Sequence, residues 1–264
     1  MNLSIESPAN PRIKDLVKLR DSPRYRKQRS RFFVEGFADL KVLLEAGRKV
    51  EEVYHTPTML KNAEAKEALE KLSESGVQVF ETSPQAQQKA SYRSVANDLV
   101  SVMESWETTL SQNVINQPGP VIVLDEVEKP GNLGAILRSV EAFGGAGVIL
   151  SDPVVDFFNP NVIRSSRGLM GSLPVFSGSK TEVYDWLKNS QREILATSSR
   201  ATQFLGAEKI PRSAALVFGS EKVGLGDFWS RSVDAWIKIP MQGTASSLNL
   251  NVSVSCFLYE YNRG

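Results

Sequence analysis

Apolar and polar positions follow short alternating patterns through the N-terminal part of the chain, and each pattern predicts one element. Segments 36–46 and 58–75 and the segment that begins at Ser83-Pro84 predict helices, whereas segments 49–55, 77–81 and 99–106 predict strands. Glycines follow the first two helices, where glycine is typical of a helix end. A serine before a proline is typical of a helix start. Residues 1–106 are therefore predicted to form a small α/β domain.

Beyond a polar stretch that ends in Pro-Gly, the pattern repeats on a larger scale. This stretch, residues 107–119, is predicted to be an interdomain linker. Strands are predicted at 120–125, 147–151, 193–197, 214–218 and 235–239, and helices at about 132–143, 180–188, 225–232 and 248–261. Strands that alternate with helices favour a mostly parallel sheet covered on both faces. Residues 120–264 are therefore predicted to form a second, larger α/β domain.

The composition narrows the class of protein. The 264 residues are 41% apolar, so the chain can bury a substantial core. The single cysteine, Cys256, excludes an internal disulfide and fits a reducing cytoplasm. With one histidine, His55, a zinc site or a Cys–His nucleophilic pair is hard to build. No membrane-length apolar run or secretion signal is visible. We therefore expect a cytoplasmic protein with no membrane segment and no metal site.

Positive charge is concentrated near the N-terminus, although the net charge is only +1. Residues 1–35 hold nine basic side chains against four acidic ones. The segment RYRKQRSRFF interleaves this charge with aromatic rings, a combination suited to phosphates and bases. Nucleic-acid contacts are predicted for Arg24, Arg26, Lys27, Arg29 and Arg31. A solubilising, mobile terminal helix is the alternative that the charge alone leaves open.

The helix predicted at 132–143 has one apolar face and one flat face. Its apolar stripe consists of Leu133, Ile136, Leu137, Val140 and Phe143. Arg138 lies nearly opposite, and its neighbours at i−3 and i+4 are Ala135 and Ala142. Small neighbours would let a ligand or another chain approach the arginine closely. An ordinary exposed arginine is the alternative that this helix leaves open.

A dinucleotide-binding site is disfavoured by the glycine spacing. Asp152 follows the next predicted strand about 20 residues after Gly131, as a ribose-binding acid would. The G-x-G-x-x-G pattern is missing, however, because the two glycines here stand at 131 and 134. An NAD-dependent enzyme is therefore a weak alternative.

Two later segments place polar groups and glycines directly after predicted strands. LVFGSEKVGLG (216–226) runs from a strand into a glycine-rich turn that contains Glu221. IKIPMQGTASSLNLNVSVSCFLYE (237–260) reads as a strand, a loop and a polar-headed helix that Ser246 or Ser247 could cap. Glycines at strand ends let backbone groups come close to a ligand. This arrangement suits a neutral adenosyl group better than a phosphate.

Together and in this order, these segments resemble the SpoU/TrmH family of S-adenosylmethionine-dependent RNA ribose 2′-O-methyltransferases. The motif residues are Asn132, Gly134, Ala135, Arg138, Phe143 and Gly144, then Asn159, Pro160, Arg164, Ser166 and Gly168, then Gly219, Glu221 and Gly224, and finally Ile239, Pro240, Met241, Ser247, Leu248 and Asn249. The chain departs from the family at Asn161, usually lysine, and at Asn251, usually serine. The resemblance covers about residues 118–264. The first 105 residues resemble the substrate-binding domain of the ribosomal-RNA members.

The resemblance implies a C-terminal domain with a trefoil knot, S-adenosylmethionine as cofactor and a homodimer formed through this domain. The cofactor-binding residues would be Thr197, Gly219, Ile239, Met241, Ser247 and Leu248. Arg138 would be catalytic together with Asn132, Glu221 and Asn249, and Arg164 would join the RNA-binding residues. The implied substrate is RNA, with ribosomal RNA favoured over transfer RNA. A transfer-RNA methyltransferase and a non-catalytic RNA-binding ribosome-assembly factor remain the alternatives.

In the family, the arginine that matches Arg138 is proposed to act as the base that removes the 2′-hydroxyl proton, which is an awkward role for a guanidinium. A guanidinium has a pKa above about 12 and stays charged. We therefore expect Arg138 to hold a substrate phosphate and polarise the 2′-hydroxyl, whatever group finally accepts the proton.

Overall fold

The computed structural model describes residues 3–111, 115 and 117–263, and the chain divides into two compact units. Unit one comprises Met1–Trp106 and Asp156–Ser172, and unit two comprises Glu107–Val155 and Leu173–Gly264. The first boundary coincides with the end of the predicted N-terminal domain. Segment 156–172 was predicted to lie in the second domain, but it packs with unit one. Residues 112–114 and 116 of the predicted linker lie outside the described residues.

Unit one is a five-stranded sheet covered by helices. Its elements are β1 (Leu3–Ile5), α1 (Pro11–Asp21), α2 (Pro23–Arg29), β2 (Arg31–Glu35), α3 (Phe37–Glu45), β3 (Val50–His55), α4 (Ala63–Glu74), β4 (Gln78–Thr82), α5 (Pro84–Ala90), β5 (Leu99–Glu104), α7 (Pro160–Ser166) and a 3₁₀ turn (Leu169–Gly171). The strand order is β1-β4-β3-β5-β2. The first three strands are parallel, and β5 runs antiparallel to both of its neighbours.

All six elements predicted in this unit are confirmed, whereas β1, α1, α2, β2 and α7 are additional. The basic segment is not a mobile terminal helix. In α1, Ile13, Leu16 and Leu19 are at most 1% exposed and belong to the core that also contains Tyr54 and Phe80. The side chains of Asn10 and Ser22 cap α1 and α2. Because most residues of α1 are polar, its apolar stripe of three residues gives only a weak helical signal in the sequence.

Unit two is a seven-stranded sheet in which every pair of neighbours is parallel. Its elements are β6 (Val121–Asp125), α6 (Pro130–Ala142), β7 (Gly147–Ser151), β8 (Val175–Gly178), α8 (Lys180–Asn189), β9 (Ile194–Thr197), β10 (Gln203–Phe204), β11 (Ala215–Phe218), α9 (Asp227–Ser230), β12 (Ala235–Lys238) and α10 (Leu250–Arg263). The order is β10-β12-β9-β11-β6-β7-β8. The predicted mostly parallel α/β fold is therefore confirmed.

Apolar residues cover both faces of this sheet. Alternate residues of a strand face opposite sides, and in β6 Val121 and Val123 join the core that contains Val183 and Leu187 of α8. On β11, the Phe218 ring meets the Phe257 ring of α10 edge to face, with the ring centres 5.4 Å apart. The five strands and four helices predicted here are confirmed, and β8 and β10 are additional. The trefoil knot implied by the resemblance stays a prediction.

Within the part of the chain that the structure describes, no helix is both long and apolar enough to cross a membrane.

Candidate active site

A cleft of about 1040 Å³ opens at the carboxyl ends of three neighbouring strands of unit two. Thr197 is the last residue of β9, Gly219 directly follows β11, and Ile239 directly follows β12. Parallel strands end at the same edge of a sheet, and ligands of such sheets bind outside those ends. The strand order therefore brings together loops that are far apart in the sequence.

Every residue predicted to bind the cofactor lines this cleft: Thr197, Gly219, Ile239, Met241, Ser247 and Leu248. Two of the four predicted catalytic residues, Glu221 and Asn249, line it as well. The sequence reasoning missed Arg200 and Trp236, which also line the cleft. In the sequence, these two residues are marked only by their positions, shortly after β9 and inside β12. Those positions indicate a shared site only when β9 and β12 are known to be neighbouring strands.

The turn after β11 requires glycine at 219. A Cβ atom there would lie 2.2 Å from the carbonyl carbon of Gly224, closer than any real contact. Gly224 has a φ of +73°, and its N–H donates to the Ser220 carbonyl oxygen at 2.9 Å. Only glycine adopts this backbone angle without strain. The turn thus folds tightly and presents main-chain groups to the cleft.

Asn132 in α6 and Asn249, directly before α10, connect these two helices. The Asn249 Nδ2 atom donates to Asn132 Oδ1 at 3.3 Å. Asn249 Oδ1 also accepts from the Asn251 N–H at 3.0 Å and so caps α10. The prediction that Ser246 or Ser247 caps this helix is wrong, because α10 begins at Leu250. The Asn132 Nδ2 atom is buried without a hydrogen-bond partner among the described residues.

Glu221 is ion-paired with Lys129, the residue that precedes α6. A second ion pair joins the same two loops, with the charges exchanged between them. In this pair, Lys222 Nζ lies 2.8 Å from Glu128 Oε2. Sequence reasoning singled out neither Lys129 nor Glu128. These pairs hold the turn after β11 against the start of the helix that carries Asn132 and Arg138.

Arg138 stands apart from the cleft. It is exposed on α6, does not line the cleft, and has no hydrogen bond or ion pair to any residue that the structure describes. It lies six residues beyond Asn132, which corresponds to about 9 Å along the helix axis. The next residue, Ser139, contacts Asn251 Oδ1 and Ser255 Oγ at 3.0 Å each. The predicted catalytic set is therefore assembled only in part within one chain.

Arg26 is not available to a nucleic acid, which corrects the sequence prediction. Its side chain is 3% exposed and contacts Asp156 Oδ2 through Nε at 2.8 Å and through Nη2 at 2.6 Å. Its Nη1 atom donates to the carbonyl oxygens of Leu19 and Arg20 at 2.5 and 2.8 Å. Arg26 therefore ties the α1–α2 corner to the segment that precedes α7, all within unit one.

The other predicted RNA-binding residues remain at the surface of unit one. Arg24, Lys27 and Arg164 are exposed and form no ion pair with a described residue. Arg29 lies 3.9 Å from an Asp15 carboxylate oxygen, and Arg31 Nε lies 2.6 Å from Glu51 Oε2. Of the five cations predicted to contact RNA in segment 24–31, Arg26 is therefore buried, and the other four are at least partly exposed.

Comparisons with known proteins match two parts of the chain to two family models. The model of the SpoU rRNA Methylase family matches residues 119–259, and that of the MRM3-like substrate binding domain matches residues 10–101. A 23S rRNA (adenosine(1067)-2′-O)-methyltransferase of Streptomyces azureus is 34% identical over 152 residues, 56% of either chain. The 23S rRNA (guanosine(2553)-2′-O)-methyltransferase RlmP of Bacillus subtilis is 28% identical over 261 residues, 97% of either chain.

A crystal structure of an RNA 2′-O ribose methyltransferase superposes with a TM-score of 0.85 at 33% identity, covering 99% of this chain and 98% of the other. The chain spans 56% of the length of the Streptomyces azureus relative and 59% of the length of a 23S rRNA (uridine(2479)-2′-O)-methyltransferase of Streptomyces viridochromogenes. The family model itself matches more than half of this chain. The chain therefore belongs to the SpoU rRNA methylase family.

Proposed function

We propose that this protein transfers a methyl group from S-adenosylmethionine to a ribose 2′-hydroxyl of ribosomal RNA in the cytoplasm. The observation that carries the proposal is the cleft of unit two. Six residues chosen as cofactor contacts from separate sequence segments meet on its wall, next to Glu221 and Asn249.

The chemistry of the cleft fits S-adenosylmethionine. Main-chain groups at Gly219, Ile239 and Leu248 and the hydroxyl of Thr197 offer neutral donors and acceptors, which suit an adenosine. Arg200 on the same wall offers a cation for a carboxylate. When bound, S-adenosylmethionine supplies a methyl group on a positively charged sulfur. The cleft residues would orient that group in line with the incoming oxygen, and such positioning supplies much of the rate.

Arg138 would act on the RNA. Its guanidinium stays protonated, so it would hold a substrate phosphate and polarise the 2′-hydroxyl instead of removing the proton. Asn132 and Asn249, already joined to one another, would orient the ribose. The ion pair with Lys129 would keep the Glu221 side chain directed toward the start of α6.

The separation of Arg138 from the cleft supports a homodimer. A second copy could bring its Arg138 to the cleft of the first, so that each site uses residues of both chains. The exposed face of α10 offers apolar contact area for such a partner, because Val252 is 44% and Tyr259 is 58% exposed.

Ribosomal RNA is the favoured substrate. The relatives from Streptomyces azureus and Bacillus subtilis are 23S rRNA methyltransferases by name, and the second aligns with nearly the whole chain. The exposed cations Arg24, Lys27 and Arg164 supply phosphate contacts on unit one. A transfer-RNA substrate and a non-catalytic assembly role are the alternatives.

Mapping 2′-O-methylation across total RNA, with and without the gene, tests the proposal. One ribosomal position should lose its methyl group in the deletion strain, and purified protein with S-adenosylmethionine should restore it. Loss of a mark on transfer RNA alone would overturn the choice of substrate. If calorimetry detected no binding of S-adenosylmethionine, the enzymatic proposal would be overturned, and the non-catalytic role in ribosome assembly would be favoured.

A further inference from the structure

Unit one contains a cleft of its own, with a volume of about 920 Å³. We call it the unit-one cleft and define it by Glu35 at the end of β2, Asp39 in α3, Arg93 and Asn97 in loop 91–98, and Arg164 in α7. All of these residues belong to unit one. Among them, only Arg164 was singled out from the sequence.

Three polar side chains of this cleft, one of them buried and two half-buried, have groups without a hydrogen-bond partner among the described residues. Glu35 Oε1 and Asn97 Nδ2 are buried atoms without a hydrogen-bond partner in the described part of the chain. The Asp39 side chain is 9% exposed, and its nearest cation, Arg167, lies 3.9 Å away, beyond hydrogen-bond distance. Buried polar groups in proteins are normally paired. Two unmatched acceptors and one unmatched donor in one cleft therefore point to a ligand with complementary groups.

The loop that supplies Asn97 and Arg93 is held in place by side chains from two helices. Arg20 Nη1 donates to the carbonyl oxygens of Lys89, Ala90 and Ser91 at 3.0, 3.2 and 2.7 Å. Gln87 Nε2 donates to the Asn97 carbonyl oxygen at 3.1 Å, and Gln88 contacts both Ser94 and Ala96. The bonds to Ser91, Ser94, Ala96 and Asn97 thus hold the loop that carries two of the cleft residues.

The rim of the cleft suits a nucleotide. Beside the cleft lies a small pocket that shares Glu35, Asp39, Arg93 and Arg164 with it and adds Tyr92, whose side chain is 41% exposed. Neither arginine forms an ion pair with any residue whose position the structure describes. Unpaired RNA bases stack on aromatic rings and are read through their pairing edges, while arginines contact the adjoining phosphates.

The set of groups in the cleft, two carboxylates and one amide nitrogen, matches guanine better than adenine. Guanine presents two adjacent N–H donors, at N1 and N2, beside the O6 acceptor on its pairing edge. The carboxylates of Glu35 and Asp39 would accept from these donors, and Asn97 would donate to O6. Adenine offers only one amino donor beside a ring acceptor, so it leaves a carboxylate unmatched. We propose that the unit-one cleft binds an unpaired guanine of the RNA substrate; this rests on the proposed function only in taking RNA as the ligand.

Fluorescence anisotropy with labelled RNA pentamers tests the proposal on the full chain. The probes are UUGUU, UUAUU and UUIUU, where inosine lacks the 2-amino group of guanine. We expect UUGUU to bind at least about fivefold more tightly than UUAUU, the discrimination typical of one well-placed bidentate contact, with UUIUU between them. Equal affinity for the three pentamers, or no binding by any of them, would overturn the proposal.

Variants of individual residues test whether the preference for guanine comes from the unit-one cleft. Glu35→Gln should abolish the preference for guanine, whereas Glu74→Gln, at an exposed position of α4 that does not line the cleft, should leave it unchanged. Tyr92→Ala, which removes an exposed ring and not a core residue, should weaken binding of all three pentamers. A guanine preference that survives Glu35→Gln would also refute the assignment.

A methylation assay on ribosomal RNA separates this proposal from the function that it assumes. If the protein methylates ribosomal RNA but binds the three pentamers equally, the proposed function is supported and the proposed guanine site in the unit-one cleft is refuted. Loss of both would count against the function itself.

Discussion

Asn249 at the start of α10 donates its Nδ2 hydrogen to Asn132 Oδ1 in the first turn of α6, at 3.3 Å. The two residues lie 117 positions apart in the chain and belong to different sequence motifs. The same Asn249 side chain caps α10 through its other atom. One residue therefore connects helix formation to the geometry of the candidate active site.

The two roles of Asn249 can be separated by substitution. Asn249→Ser should preserve the cap, because a serine oxygen also accepts the backbone hydrogen, but it is too short to reach Asn132. Asn249→Ala should lose both and cost about 1 kcal/mol of stability. We expect methyl transfer to fall strongly in both variants, and thermal unfolding to change only in the alanine variant. Full activity in Asn249→Ser would show that the contact with Asn132 is dispensable.

Arg138→Ala should abolish methyl transfer while binding of S-adenosylmethionine stays within a few-fold, because Arg138 is expected to hold the RNA and does not line the cofactor cleft of its own chain. Arg138→Lys should rescue poorly, since lysine lacks the bidentate fork. Arg212→Ala, another exposed arginine of unit two, is the matched control.

Mixing two inactive variants tests whether two chains share a site. If each site takes Arg138 from one copy and Glu221 from the other, an equal mixture of Arg138→Ala and Glu221→Ala should recover about a quarter of the activity after subunit exchange. A mixture that stays inactive would place both residues in one chain's site.

Gly219→Ala should impair cofactor binding at least tenfold, because the added methyl group meets the Gly224 backbone and displaces the turn. Gly226→Ala is the control, since a Cβ there meets nothing within 4 Å. Calorimetry with S-adenosylmethionine measures both. Equal affinities would mean that the turn can relax without disturbing the cleft.

Arg26→Ala should destabilise the protein by about 3 kcal/mol, because it leaves Asp156 and two carbonyl oxygens without their partner. Arg24→Ala, two residues earlier and exposed, should change stability by less than about 0.5 kcal/mol. Urea unfolding of both variants measures the difference. A large loss of RNA affinity in a fully stable Arg26→Ala protein would contradict the structural role.

Stability should also depend on pH through Asp39. Burial raises the pKa of this carboxyl from 3.8 to about 6, although Arg167, Arg93 and Arg164 oppose the rise and Glu35 adds to it. The folded state therefore holds the proton more tightly than the unfolded state, so stability falls as the pH rises from about 4 to about 6 and stays lower above that range.

Asp39→Asn should remove this dependence. At pH 7 it should stabilise the protein by up to about 3 kcal/mol, whereas at pH 4 the two proteins should unfold alike. Urea unfolding at both pH values provides the comparison. A destabilised Asp39→Asn protein at pH 7 would show that attraction to the arginines outweighs the cost of burial.

The sequence patterns located the elements with strong periodicity and missed those without it. The strands of unit two were visible because they are short apolar runs between turn residues. Helix α1 was hidden, because a three-residue stripe among many charges carries a weak periodic signal. The short helix α7 was also missed, and its transfer to unit one depends on packing that no local pattern encodes.

Charge was the feature that the sequence described least well. Arg24 and Arg26 look equivalent in RYRKQRSRFF, yet one is exposed and the other is 3% exposed against Asp156. Their difference arises because Asp156 lies 130 positions away and reaches Arg26 only in the folded unit. Neither spacing nor composition contains that contact.

The sequence alone determined the parallel α/β class of unit two, because periodicity and turn chemistry are local properties. Its motifs, through their resemblance to the family, also indicated the residues that line the candidate cofactor cleft. Only the tertiary structure decided that β9, β11 and β12 are neighbours, that Asn249 caps α10 while it contacts Asn132, and that Arg138 lies outside the cleft of its own chain. The reason is physical: strand order and side-chain pairing depend on which distant segments bury their apolar surfaces together.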